Sequence, residues 1–239
     1  MALRIGIDLD GVLADMNAAL DQHADQLFGP APSAPDPARD VDAQASVAPE
    51  AVSGKTPLRL RRRLTERQQR RLWRRIRGID GFWERLEETE PGVVARLSAL
   101  ATERRWEIIF LTKRPTTAGA TSQIQSQRWL ASKGFPLPSV FVVTGSRGLI
   151  AAALELDIVV DDRPENCLDV AIDSPARTIA IFRQTQPPPP TFLTTMGVDL
   201  VQSTHACFDL LLEIDAKATH RPSPIERLMR KMGLRQDRA

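Results

Sequence analysis

Cysteine and histidine are scarce in this chain: two cysteines (Cys167, Cys207) and three histidines (His23, His205, His220) in 239 residues. Two thiols cannot form the disulfide framework of a small secreted protein, and they make no metal-type cluster. The histidines are scattered, so none is assigned a role. Long apolar runs are missing too. None approaches the ~18 residues of a membrane span, and the most apolar stretch, Leu149 to Val160, is broken by Glu155 and Asp157. The opening MALRIGIDLD carries charges where a signal peptide needs its apolar segment. Secretion is therefore not expected, and a reducing cytoplasm is the expected compartment.

A large net charge is absent as well, with 32 basic residues against 30 acidic ones, a formal +2. Apolar residues at 42% and charged residues at 26% are ordinary for a soluble globular protein, which excludes wholesale disorder and collagen-like repeats. The length suits one sizeable domain, or one domain carrying an insert. The charge is unevenly spread. Residues 58–77 hold ten Arg and one Glu (+9), and residues 216–239 hold seven Lys or Arg and two acids (+5), so +2 less 9 less 5 leaves −12 on the rest. An acidic body thus carries two basic appendages.

Leu3 to Asp8 reads as a short buried strand, and residues 15–28 as a helix with Met16, Leu20, Ala24 and Leu27 on one stripe. Between Pro30 and Pro57, prolines spread through Ala, Ser and Asp mark a flexible linker. Residues 58–77 read as one basic amphipathic helix with Leu60, Leu64, Leu72 and Ile76 on its apolar side. Beyond Gly78 the pattern turns regular. Strands at 107–111, 140–143, 158–160, 178–182 and 199–201 alternate with helices near 92–103, 119–133, 147–155, 165–173 and 204–215. Short apolar strands alternating with helices predict an α/β fold, a Rossmann-like parallel sheet with helices on both faces.

In such a sheet, ligands bind beyond the carboxyl ends of the strands. The first strand ends in Asp8-Leu9-Asp10-Gly11-Val12-Leu13, the second in Thr112-Lys113-Arg114-Pro115, the third in Thr144-Gly145-Ser146-Arg147 and the fourth in Asp161-Asp162-Arg163-Pro164. Carboxylates packed this closely repel one another unless a cation lies between them. A hard divalent ion with oxygen ligands, Mg²⁺, suits a site with few protein carboxylates.

Asp8-Leu9-Asp10-Gly11-Val12-Leu13 resembles motif I of the haloacid dehalogenase (HAD) superfamily, Thr112 its motif II and Asp161-Asp162 its motif IV. Within the superfamily the body resembles the 5′(3′)-deoxyribonucleotidase branch, on Gly81-Phe82-Trp83, Glu90-Pro91-Gly92 and Asp161-Asp162-Arg163-Pro164. The likeness covers roughly residues 3–28 and 78–215. It implies a HAD-like core over 1–14 and 91–215, a small helical cap over 15–90 inserted after the first strand and containing the linker at 30–57, and a separate basic tail over 216–239. It implies a phosphatase for a small phosphorylated substrate, with a (deoxy)nucleoside monophosphate first and another phosphomonoester, such as a sugar phosphate, as the alternative.

By the same resemblance Asp8 is the nucleophile and Asp10 the acid and base. Thr112 donates to a phosphate oxygen, and Mg²⁺ is held by Asp8, by Asp10 through its backbone carbonyl, and by Asp161 or Asp162. Arg147 is the best fit to the motif III cation, with Lys133 and Lys113 as rivals. Lys113-Arg114 departs from the branch, where a small polar residue is common after the Thr, and its extra charge would suit a more anionic substrate. Phe82 and Trp83 either stack on a base or fill the cap core. The basic helix reads most simply as a solvated face that helps attract substrate; binding of nucleic acid or an anionic membrane is the sharper alternative, and is open for the tail. A non-catalytic scaffold working through these basic segments is the rival from another class. No sequence feature points to an oligomeric state.

Overall fold

The computed structural model describes residues 2–31, 60–183 and 189–219. Most of the expected linker and most of the basic tail lie outside these residues.

Six strands form one sheet: β1 (Arg4–Asp8), β2 (Glu107–Thr112), β3 (Ser139–Val142), β4 (Ile158–Asp161), β5 (Arg177–Ile181) and β6 (Asp199–Val201). Their spatial order is β3-β2-β1-β4-β5-β6. The sheet is parallel, and the α/β Rossmann-like class read from the sequence is the one observed. In β4 every residue is buried, and in β1 all but the first. Successive side chains of a strand point to opposite faces, so unbroken burial means that both faces are covered there. This is why these strands are short apolar runs rather than alternating ones. The register Ile5↔Ile158, Gly6↔Val159 and Ile7↔Val160 brings β1 and β4 to the same edge. The chain moves outward from β1 through β2 to β3, then starts again on the other side of β1 with β4. That reversal is the topological switch point where open α/β sheets bind ligands.

Helices fill the connections: α1 (Met16–Phe28), α2 (Glu66–Arg77), α3 (Val93–Arg104), α4 (Ser122–Ser132), α5 (Arg147–Ala153), α6 (Pro164–Asp173), α7 (Thr191–Thr195) and α8 (Thr204–Thr219). A 3₁₀ turn spans Phe82–Arg85. That turn and α7 are too short to show a helical period, and neither was foreseen.

The basic helix expected over 58–77 begins only at Glu66. Thr65 and Gln68 form a capping box: the Thr65 hydroxyl accepts from the Gln68 N–H while the Gln68 side chain accepts from the Thr65 N–H. This satisfies donors at the helix start and fixes the first turn there. Arg61 and Arg62, outside the helix, pair with Asp21 and Asp25 of α1.

The chain forms two compact units, one of Met1–Ile7, Ala95–Ile109 and Gly145–Ala239, the other of Asp8–Val94 and Phe110–Thr144. In the first, Cys167, Ala180, Phe182, Leu193 and Val198 make one buried cluster, and α5 packs on α6. In the second, α1 packs on α2, and α4 on the 3₁₀ turn. Trp83 and Trp129 are its largest fully buried side chains. Cys167 and Cys207 are buried free thiols. Among the described residues no helix is long and apolar enough to cross a membrane.

Candidate active site

Asp8 closes β1 and Asp161 closes β4, one residue beyond the paired Ile7 and Val160. Asp8, Asp161 and Asp162 are all buried, and each offers a carboxylate oxygen within 4.8 Å of the other two. Asp161 Oδ1 accepts from the Arg163 N–H at 2.9 Å, and its Oδ2 accepts from Asn166 Nδ2 at 2.9 Å. Arg147 Nε stands 3.6 Å from Asp161 Oδ2, with both side chains 1% exposed.

Three carboxylates this close repel one another, and the Arg147 guanidinium beside Asp161 offsets part of that repulsion. A divalent cation among them would offset more. The donors are all hard oxygens, as Mg²⁺ prefers. At Mg–O distances of about 2.1 Å, two ligand oxygens lie at most about 4.2 Å apart, close to the span of this cluster. The residues therefore fit the metal.

Arg147 is held from its own helix end. Asp169 of α6 accepts from the backbone N–H of Arg147 at 2.5 Å and of Gly148 at 3.4 Å, and Ser146 caps the same turn. A carboxylate at a helix start satisfies its unpaired donors. The two rival cations are differently employed: Lys133 pairs with Glu87 at 3.4 Å, while Lys113 is exposed.

Asp10 lies in the loop after β1. Leu13 N–H and Ala14 N–H both donate to the Leu9 carbonyl, folding the loop back on itself. Gly11 takes φ of 88° in it, a conformation that strains any side-chain-bearing residue. The Asp10 carboxylate is gripped by Arg114. Nε lies 3.0 Å from each oxygen and Nη2 2.8 Å from Oδ1, while Nη1 donates to Ser126 at 2.9 Å. The guanidinium lies 5.0 Å from the Trp83 ring and 5.7 Å from that of Trp129.

Three expectations change here. Arg114 is 2% exposed and turned inward to Asp10, so of the Lys113-Arg114 pair only Lys113 presents charge to solvent. Thr112 Oγ1 donates to Asp10 Oδ2 at 3.2 Å. A hydroxyl has one proton, so a bond from it to a phosphate oxygen requires turning it away from Asp10. Phe82 and Trp83 are 3% and 0% exposed, and Trp83 Nε1 donates to the Pro115 carbonyl. The rings are packing elements with no open face for a base.

Arg114 as the grip on Asp10, Asn166 on Asp161 and Asp169 at the start of α5 were not foreseen as site residues. The first was visible only as a charge, and a buried partner leaves no trace in spacing. Asn166 could have been suspected, because it follows Asp161 by five residues, in the first turn of the helix after the motif.

A comparison with protein-family models finds no match, and a comparison with curated protein sequences finds none either. Among solved structures, the chain is similar to a protein classed as a β-phosphoglucomutase from Thermotoga maritima, with TM-score 0.51 and 17% identity over 89% of this chain and 99% of that one. It is also similar to a HAD-family hydrolase from Deinococcus radiodurans R1 with bound phosphate and sodium, with TM-score 0.54 and 13% identity over 90% of this chain and 96% of that one. At these identities what is shared is the fold.

Proposed function

We propose that the protein is a Mg²⁺-dependent phosphomonoester hydrolase of the HAD type, with residues 1–14 and 91–215 as its core and 15–90 as its cap. The observation that carries this reading is the buried group Asp8, Asp161 and Asp162, in a sheet whose strand order puts the ends of β1 and β4 at the switch point. The likeness to a HAD-family hydrolase with bound phosphate supports it.

Asp8 attacks the substrate phosphorus, a P–O bond forms to its carboxylate, and the bond to the leaving oxygen breaks. Asp10, protonated in the substrate complex, gives that proton to the leaving oxygen and is left as the carboxylate that Arg114 grips. Water then attacks the aspartyl-phosphate, Asp10 takes its proton, and phosphate leaves. Covalent catalysis of this kind splits one difficult displacement into two easier ones, and Asp10 serves each half in turn. Arg147 and Lys113 contribute positive charge toward phosphate oxygens. Asp8, Asp161, Asp162 and the Asp10 backbone carbonyl would hold the metal, which when bound offsets repulsion between an anionic nucleophile and a phosphate dianion.

A (deoxy)nucleoside monophosphate is the substrate favoured by the sequence resemblance. Burial of Phe82 and Trp83 removes the base-stacking support for it, and the likeness to a protein classed as a phosphoglucomutase favours a sugar phosphate equally. The test is phosphate release with Mg²⁺ from p-nitrophenyl phosphate, a nucleoside monophosphate panel and a hexose phosphate panel. Asp8→Asn is expected to lower turnover at least about a thousandfold; equal activity in the two proteins would remove Asp8 as nucleophile. The panel with the higher kcat/KM decides between the substrate classes.

A further inference from the structure

The helix α2 carries six arginines and one glutamate in twelve residues. Its apolar residues Leu72 and Ile76 are 0% exposed. At 100° per residue, Arg67, Arg70, Arg71, Arg74 and Arg77 fall on the half of the helix opposite Leu72 and Ile76, Arg75 lies at its edge toward α1, and all six are exposed. Glu66 is the one acid on the helix, and it pairs with Arg70. The acids of the neighbouring α1 are taken elsewhere: Asp21 by Arg61, and Asp25 by Arg61 and Arg62. Arg75 donates to Gln26 and His23, both uncharged partners when the imidazole is neutral. Among the described residues the positive charge of this face is thus largely uncancelled, at a cost in self-repulsion that a bound polyanion would relieve.

We propose that the outer face of α2 binds single-stranded nucleic acid through its phosphate backbone. Its apolar side is already buried in the protein, so α2 cannot insert that side into a bilayer as a surface-lying amphipathic helix does. The arginines recur every three or four residues, about 5 Å apart along the axis. That is a regular ladder suited to a repeating chain of phosphates rather than to the irregular acids of a folded protein. Trp73, half-buried, lies between Arg70 and Arg77 on one edge of the ladder. An aromatic ring beside a basic track can stack on an unpaired base, which favours a single strand over a duplex. The face carries no array of amide or carboxylate side chains to read base edges, so binding is indifferent to sequence. This surface is independent of the phosphatase reading.

The experiment is fluorescence anisotropy of the full chain with a labelled 12-nucleotide oligouridine over a KCl series from about 50 mM. Four phosphate contacts give a slope of log affinity against log salt of about −3, at roughly 0.7 per contact. The variant Arg67→Gln/Arg71→Gln/Arg74→Gln is expected to bind at least tenfold more weakly at low salt and to flatten the slope by about 2. Its melt should stay cooperative, and its kcat on p-nitrophenyl phosphate at saturating substrate, where attraction no longer limits, should be unchanged. The single variant Arg67→Gln should flatten the slope by about 0.7, so the test does not depend on the triple variant folding. No binding at low salt overturns the proposal, as does full affinity in both variants. Tighter binding to phosphatidylserine vesicles or polyglutamate than to the oligonucleotide also overturns it.

Discussion

Lys113 and Arg114 are adjacent in the chain and end in opposite surroundings, the lysine exposed and the arginine 2% exposed. Arg114 spends its donors on Asp10 and Ser126 and lies near two tryptophan rings. A fork-shaped guanidinium can make such a set of bonds, whereas an ammonium cannot. Arg114→Met would leave Asp10 without its buried counter-charge and is expected to cost about 3 kcal/mol. At this chain length that is a fall in Tm of roughly 10 °C, measurable by calorimetry. Arg114→Lys should recover part of the stability but not the geometry of Asp10. Its kcat on p-nitrophenyl phosphate is therefore expected to stay at least tenfold below wild type, with KM little changed. A kcat equal to wild type would mean that Asp10 does not depend on Arg114 for its placement.

At the scale of elements, the contact between α5 and α6 sets where Arg147 stands. Gly148 follows it, and a Cβ there would collide with the Asp169 carbonyl oxygen. The backbone of α6 cannot yield as a flexible side chain could. Gly148→Ala is expected to push the helices apart, destabilise by about 2 kcal/mol and weaken the Asp169 bonds to the start of α5. Tm and kcat should fall together; a change in neither would mean that the contact is loose. The packing of α1 on α2 gives a pH dependence. Burial first, and then the Arg75 guanidinium, hold the His23 imidazole below its ordinary value. The unfolded chain therefore binds the proton more readily than the folded one. Stability from this group is complete above about pH 6.5 and is lost as pH falls below it. The drop in Tm between pH 7.5 and 5.5 should be smaller in His23→Gln than in wild type.

At the scale of the whole molecule, the near-zero net charge conceals two opposite local fields. One is the buried carboxylate group at the ends of β1 and β4, and the other is the arginine face of α2. The first predicts linkage between metal and folding. A cation that binds the native state alone, present at a hundred times its Kd, adds about 2.7 kcal/mol. Mg²⁺ is thus expected to raise Tm by several degrees and excess EDTA to reverse it. Asp162→Asn should shrink the rise. An equal rise in that variant would remove Asp162 from the ligand set.

The alternation of apolar strands with helices was enough to determine the class of fold, because burial on both faces of a parallel sheet demands apolar runs of that length. The same logic placed Asp8, Thr112 and Asp161 at strand ends, where the structure has them, with Asp10 two residues on in the loop after β1, since a strand end is a fixed place in the fold. Capping is local chemistry, so the start of α2 at Thr65-x-x-Gln68 was also written in the chain, although the leucine spacing suggested a longer helix. Tertiary structure alone decided the partners. That Arg114 turns inward to Asp10, that Phe82 and Trp83 are covered, and that Asp169 holds the start of α5 all depend on contacts between residues distant in sequence. Periodicity carries no record of such contacts, because a buried arginine and an exposed one are written with the same letter. The direction in which the α2 arginines point was likewise set by which side of the helix the protein buried.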